Sequence, residues 1–156
     1  MSWDVLLMSV PPNIGTVKDI PDDSKSVLGP KSTILLILAK ICPEANFTDP
    51  NWGILNAGDF SIEFNIGEDD PTTHIMLHVR GADSAVNTIQ KICEVTGWRA
   101  LDTSMGDFID FHQNPTAGLH KWRQFRDQVM ASLEAKGEQI IHPSKGTFVK
   151  NNKRGR

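Results

Sequence analysis

The sequence predicts an α+β protein, with a largely antiparallel sheet of five to six strands and about three helices, mainly on one face of the sheet. Several short segments alternate apolar and polar residues with the period of a half-buried strand, most clearly Phe60–Ile66. Three longer segments carry apolar residues at helical spacing. Neighbouring strand segments are joined by short connections, which favour hairpins over parallel crossovers. The predicted order is β-α-β-β-β-α-β-β-α.

The first part of the chain predicts one strand and one helix. Ser2–Val10 is an apolar strand candidate that the following pair of prolines ends, because proline cannot donate to a strand ladder. A connection rich in Gly, Pro, Asp and Ser comes next. The first helix candidate lies in residues 29–45, where Pro30 suits the first turn and Pro43 helps to end the helix.

The rest of the chain predicts two hairpins, a further strand and two helices. In the second helix, Asp83 or Ser84 can cap the free amides of the first turn, and Gly97 can end the helix. The predicted elements, in order, are the hairpin Trp52–Leu55 with Phe60–Ile66, the strand His74–Gly81, the helix 82–98, the hairpin Arg99–Asp102 with Asp107–Phe111, and the helix 117–137.

Length and composition predict one globular domain over residues 1–137. The chain has 156 residues, of which 39% are hydrophobic and 22% charged, as in ordinary soluble proteins. The longest apolar run, Ile34–Cys42, is far shorter than the roughly 20 residues that a membrane span needs. The first residues lack the basic leader of a signal peptide, and both cysteines lie in helical patterns. We therefore expect a cytoplasmic protein with reduced thiols and no membrane contact.

Charge is distributed unevenly along the chain. Residues 143–156 carry five cations and no acid, whereas residues 1–142 carry 11 cations and 19 acids, a net charge of −8. An acidic body disfavours nucleic acid as a partner and is compatible with a cationic protein. The polar, aperiodic segment 138–156 is expected to be a loose basic tail.

The sequence predicts no catalytic residue, no metal site and no cofactor. His74 and His78 lie four residues apart on one predicted strand, so they face the same way but stand about 13 Å apart, too far for one ion. Cys42 and Cys93 do not lie at helix starts, where thiolates form. The chain has neither a nucleophile elbow nor a glycine-rich phosphate loop.

The strand Phe60–Ile66 suggests a binding face, because its polar side continues into three consecutive acids. This side is either a solubilising exterior or an acidic docking face for a basic partner. Its members are Asp59, Glu63, Glu68, Asp69 and Asp70. The tip of the second hairpin is a second candidate face, with Asp102, Met105 and Asp107. Any of the four tryptophans left exposed would be the best candidate for a binding hot spot.

Several blocks of the sequence resemble a widespread family of small, mostly uncharacterised bacterial proteins. These blocks are "MSWDVLLMSVPP", "DIPDD", "DPNWGIL", "FSIEFNIG", "IMLHVRG" and "GWRALD" with "GDFIDF", and the resemblance spans roughly Met1 to Leu133. Such proteins are similar to the small acidic cytoplasmic partners encoded near polymorphic secreted toxins. The resemblance implies an immunity protein, or antitoxin, that binds a cognate toxin domain with a basic active-site cleft and occludes that cleft. It supplies no catalytic residues.

Two alternatives of a different kind stay open. One is a structural or regulatory homo-oligomer, built by pairing a sheet edge or an apolar helix face. The other is a small hydrolase-type enzyme that uses His74 or His78 with a nearby carboxylate, which predicts a concave pocket around an imidazole. The sequence leaves open the activity of the partner and the oligomeric state.

Overall fold

The described part of the chain forms three α-helices, one short 3-10 helix (Val17–Asp19) and eight strands. The structure, a computed structural model, describes residues 1–21, 26–135, 138–140 and 149–151. The helices are α1 (Lys31–Ile41), α2 (Ser84–Thr96) and α3 (Ala117–Ala135). The strands are β1 (Trp3–Met8), β2 (Trp52–Asn56), β3 (Phe60–Asn65), β4 (His74–Gly81), β5 (Arg99–Asp102), β6 (Asp107–Phe108), β7 (Glu138–Ile140) and β8 (Val149–Asn151).

Six strands form one antiparallel sheet in the order β2-β3-β4-β1-β5-β6. The predicted α+β class and the antiparallel sheet are therefore confirmed. Strand β6 is shorter than the predicted 107–111, because the Asp110 carboxylate accepts a bond from the His112 amide (2.9 Å) and turns the chain there. A separate pair, β7 with β8, lies within the segment predicted to be a loose tail, and the other residues of that segment lie outside the described residues.

The chain divides into two compact units, residues 2–118 and residues 119–156 with Met1. The first unit contains the whole six-stranded sheet together with α1 and α2. The predicted domain end at residue 137 stays a prediction. Every residue of the two predicted binding faces belongs to the first unit.

The two faces of the sheet differ in burial, because strand side chains alternate between them. On one face, which we call the covered face, α2 packs against β3, β4 and β5, and α1 contacts α2. Its side chains on β1, β3 and β4 are at most 1% exposed: Trp3, Val5, Leu7, Ile62, Phe64, Ile75, Leu77 and Val79. On the opposite face, which we call the open face, no side chain of β1 to β4 is fully buried: Asp4, Leu6, Met8, Trp52, Ile54, Asn56, Ser61, Glu63, Asn65, His74, Met76, His78 and Arg80.

A glycine lets an aromatic side chain reach the covered face from outside the sheet. Gly53 lies in β2, and the Phe47 ring packs so closely over it that an added Cβ would overlap the ring. Phe47 in turn contacts Phe64, with ring centroids 5.4 Å apart. This close approach closes the β2 side of the core.

The sequence predicted the C-terminal end of α2 correctly, but not the contacts at its N-terminal end. Gly97 ends the helix as predicted, in the left-handed conformation (φ 79°), with its amide donating to the Cys93 carbonyl at 2.8 Å. At the start of the helix, Asp83 is the N-cap residue, but no side-chain cap bond forms there. The Ser84 hydroxyl instead donates to the Asp59 carboxylate at 3.1 Å. The predicted side-chain cap is therefore replaced by a contact between α2 and the turn before β3.

Candidate functional site

The five acids of the first predicted face do not come together as one patch. Asp59 precedes β3 and Glu68–Asp70 follow it, so about 20 Å of extended strand separates the two groups. Asp59 is exposed and accepts the bond from Ser84. Only Glu63 lies on the open face, at the middle of the strand. The predicted face therefore consists of three separate acidic positions.

The acidic loop Glu68–Asp70 is attached to the start of α1. The Asp70 carboxylate accepts a bond from the Lys31 amide at 3.0 Å, which is favourable because the first amides of a helix lack internal partners. The Lys31 ammonium donates to the Gly67 carbonyl at 2.6 Å and to the Asn51 side chain. Asp70 thus has a structural role, while Glu68 and Asp69 keep exposed side chains on a loop that is fixed in place.

The second predicted face contains one buried member. Asp102 is only 3% exposed, and its Oδ1 accepts bonds from the Ser104 amide (2.9 Å), the Ser104 hydroxyl (2.7 Å) and the Met105 amide (3.2 Å). Its carboxylate shapes the turn between β5 and β6 and does not face solvent. Met105 and Asp107 are exposed at the tip of that hairpin. A partner could contact the tip, but not the Asp102 carboxylate.

A cluster at the centre of the open face joins Glu63 and His78, which the sequence singled out, to residues that it did not. His78 stands opposite Asp4 of β1 on one side and Glu63 of β3 on the other. Its Nδ1 lies 2.9 Å from the Asp4 Oδ1, and the Ser2 hydroxyl donates to the same oxygen at 2.5 Å. The Trp52 indole stacks on the imidazole, with ring centroids 5.6 Å apart and planes 21° apart. The open-face cluster is Ser2, Asp4, Trp52, Glu63, His78 and Arg80.

Charge and exposure make this cluster available to a partner. Glu63 and Arg80 form an ion pair with a closest distance of 3.6 Å, and each side chain is about one-third exposed. Such a pair adds little stability, but it leaves both charges near the surface. Trp52 is partly exposed, whereas Trp3, Trp98 and Trp122 are buried. Of the four tryptophans, Trp52 is therefore the best candidate for a binding hot spot.

The cluster contains the residue types of a serine-hydrolase triad without its geometry. Such a triad needs the carboxylate at one imidazole nitrogen and the nucleophile at the other. Here the Ser2 hydroxyl (3.5 Å) and the Asp4 carboxylate (2.9 Å) both approach Nδ1 of His78. His74 contacts the Thr73 hydroxyl at 3.0 Å. In the described contacts, neither histidine has a hydroxyl at one ring nitrogen and a carboxylate at the other.

One open cleft of about 260 Å³ lies between the end of α2 and the segment after β6. It contains neither of the two histidines proposed for catalysis. Its walls include Gln90, Cys93, Trp98, Arg99, Phe111 and His112. The Arg99 guanidinium is engaged elsewhere, because it donates to the Ile14 carbonyl at 2.8 Å and lies over the Phe108 ring at 4.3 Å.

Burial disfavours the thiolate form of both cysteines. Both are free thiols. Burial raises the pKa of the Cys42 thiol to about 11 and that of the Cys93 thiol to about 12, so the thiolate is scarce at neutral pH. Within the described ranges, no group of three or more His, Cys, Asp and Glu side chains converges on a point where a metal ion could bind.

None of the helices in the described part of the chain is both long and apolar enough to cross a membrane. A comparison of the chain with protein-family models, curated proteins and solved structures finds no match. The resemblance to bacterial immunity proteins that the sequence blocks suggest therefore stays a prediction.

Proposed function

We propose that this chain is a protein-binding module of the immunity type, which binds a cognate toxin domain in the cytoplasm and occludes its active site. The observation that carries the proposal is the open-face cluster, in which the partly exposed Trp52 is stacked on His78 on a regular antiparallel sheet. Aromatic side chains in such settings supply much of the binding energy in protein interfaces. The proposed action needs no cofactor.

The surroundings of Trp52 have the composition of an interface core. The open face carries Leu6, Met8, Ile54 and Met76, none of which is fully buried. Ile54 is 47% exposed. Apolar and methionine side chains around a central aromatic residue, with charges at the edge, are typical of surfaces that bind proteins.

Acidic residues near Trp52 favour a basic partner. Trp52 pairs with Asn65, so it lies at the same end of the sheet as the acidic loop Glu68–Asp70. Asp49, which is also exposed, lies three residues before Trp52. A preformed surface of this charge steers a cationic partner toward the sheet and selects against anionic ones. An active-site cleft rich in Lys and Arg has the complementary charge.

The proposal is tested with the C-terminal domain of a secreted toxin encoded next to this chain. Co-expression of this chain should restore growth, and the purified proteins should bind. Trp52→Ala should weaken the complex at least about 30-fold, since loss of a hot spot costs about 2 kcal/mol or more. Leu36→Ala is the matched control, because Leu36 is 74% exposed on α1 and should leave the affinity unchanged. Binding that is insensitive to Trp52→Ala would exclude the open face, and a folded chain that neither binds nor protects would exclude the function.

The acidic loop is tested separately by charge reversal. Glu68→Lys with Asp69→Lys should slow association several-fold at low salt, because steering depends on surface charge. The double variant should stay folded, since both side chains are exposed. An association rate equal to that of the wild type at low salt would remove the loop from the binding surface and leave the Trp52 result unaffected.

A homo-oligomer built by pairing sheet edges is less favoured, because a bridge from Asn46 already occupies part of one edge. Asn46 bridges to the outer side of β2 by donating to the Ile54 carbonyl at 2.7 Å and accepting from the Ile54 amide at 3.0 Å. The other edge strand, β6, has two residues. Neither edge offers a long row of free amides and carbonyls for pairing with a second copy.

A further inference from the structure

We infer that Asp4 and His78 are positioning residues for Trp52, and that protonation of His78 weakens the binding of a basic partner to the open-face cluster. This inference rests on the proposed function for its second half only. Its first half concerns the free protein and can be tested without a partner.

The positioning role follows from the contacts of the imidazole. One ring nitrogen of His78 is fixed by the Asp4 carboxylate at 2.9 Å, and Asp4 is itself held by the Ser2 hydroxyl. The flat face of the same ring carries the Trp52 indole. Because a hydrogen bond at Nδ1 sets the orientation of an imidazole, it also sets the surface against which the indole lies. Asp4 therefore acts on Trp52 through His78.

The charges around His78 decide the sign of the pH effect. Asp4 of β1 and Glu63 of β3 face it from the neighbouring strands, and Arg80 and His74 lie on the same face of its own strand. β2 contributes only uncharged side chains to this face: Trp52, Ile54 and Asn56. With both histidines neutral, Asp4, Glu63 and Arg80 give a net charge of −1.

Protonation of His78 brings that local charge to zero, so a cationic partner group loses an attraction. The imidazolium also attracts the electron-rich face of the indole, so protonation of His78 changes the surroundings of Trp52. The lost attraction to the cationic group disfavours the complex at low pH. One unit charge at about 7 Å, in an effective dielectric between those of a protein surface and water, changes affinity by roughly three- to tenfold.

The free protein gives the first test, by nuclear magnetic resonance of the tryptophan indole N–H groups between pH 8 and pH 5.5. The Trp52 signal is assigned by its loss in Trp52→Phe. We expect it to shift with pH in the wild type and to stay still in His78→Gln. His74→Gln is the matched control, because His74 lies on the same strand and face. In this variant the Trp52 signal should shift with pH as it does in the wild type.

The complex gives the second test, with the toxin domain that this chain protects against in the growth assay. Wild-type affinity should be three- to tenfold weaker at pH 5.5 than at pH 8, and the His78→Gln affinity should change by less than twofold. The positioning role is overturned if the Trp52 signal does not shift with pH, or if it shifts as much in His78→Gln as in the wild type. If binding by the wild type and by His78→Gln depends equally on pH, protonation of His78 does not weaken the complex, while the proposed function stands. If no toxin domain binds at either pH, the proposed function and the second half fail together, and the Trp52 titration alone decides the first half.

Discussion

The two faces of the six-stranded sheet use the same strands in opposite ways. On the covered face, Val5, Phe64 and Leu77 are fully excluded from solvent. On the open face, their neighbours Asp4, Glu63 and His78 are half-buried and contact one another or Arg80 across the strands. The covered face is stabilised by apolar area removed from water, and the open face by exposed polar contacts that each contribute little.

Because of this difference, the covered face provides the stability of the sheet, and the open face is available for binding. A residue of the covered face cannot change size without opening a cavity or a clash in a close-packed core. A residue of the open face can change while the core stays intact. The open face is therefore free to carry a binding function, which is why the proposed site lies there and not among the more numerous buried aromatic side chains.

The largest expected change in the free energy of unfolding is seen by comparing two adjacent residues of β3 that face opposite sides of the sheet. Phe64→Ala on the covered face should lower the free energy of unfolding by about 3–5 kcal/mol, because it removes a fully buried ring. Glu63→Ala on the open face should lower it by less than about 1 kcal/mol, because its ion pair with Arg80 is partly exposed. Urea denaturation measures both values. Equal losses at the two positions would remove the distinction between the faces.

A smaller effect is expected where Phe47 crosses Gly53. Gly53→Ala should cost about 1–3 kcal/mol in the free energy of unfolding, because the new methyl group displaces the Phe47 ring from Phe64. Gly15→Ala is the control, since Gly15 is exposed and an added Cβ there would meet open space. Thermal denaturation compares the two variants. Wild-type stability in Gly53→Ala would mean that the ring moves aside freely and that the covered face is less tightly packed on the β2 side.

The smallest change in the free energy of unfolding at neutral pH is expected from ionisation of the thiols. Burial raises the pKa of both thiols above the ordinary value of 9.0. The stability gained from the neutral thiols is therefore fully present below about pH 9, and it falls as pH rises toward 11 for Cys42 and toward 12 for Cys93. Alkylation by iodoacetamide at pH 8 should be at least about 100-fold slower in the folded protein than in urea, because little thiolate forms. Mass spectrometry of Cys42→Ser and Cys93→Ser assigns the two rates. Fast alkylation of one thiol in the native protein would show that its site opens readily.

Local pattern was enough to predict most of the secondary structure. Strand β4 has the predicted bounds, His74–Gly81, and the predicted Phe60–Ile66 is one residue longer than β3. Alternation with period two and a glycine at a helix end act within a few residues, so they can be read without the fold. Strand β6 was overestimated, because the bond from His112 to Asp110 competes with the strand ladder.

The candidate site was predicted only in part, because its members are far apart in the chain. The alternation placed Glu63 on the polar side of its strand, and the composition singled out the tryptophans and His78. Asp4 and His78 are 74 residues apart and meet only because β1 pairs with β4. No local signal reports that pairing, since strand order is set by how the whole core closes.

The sequence by itself determined the class of the fold, the apolar side of each main strand and the acidic character of the body, because each depends on residue type and short-range spacing. The tertiary structure decided that Asp102 is buried, that Asp70 binds the start of α1 and that Trp52 lies on His78. Those outcomes depend on which strands become neighbours, and distant segments meet only when burial of the covered face brings them together.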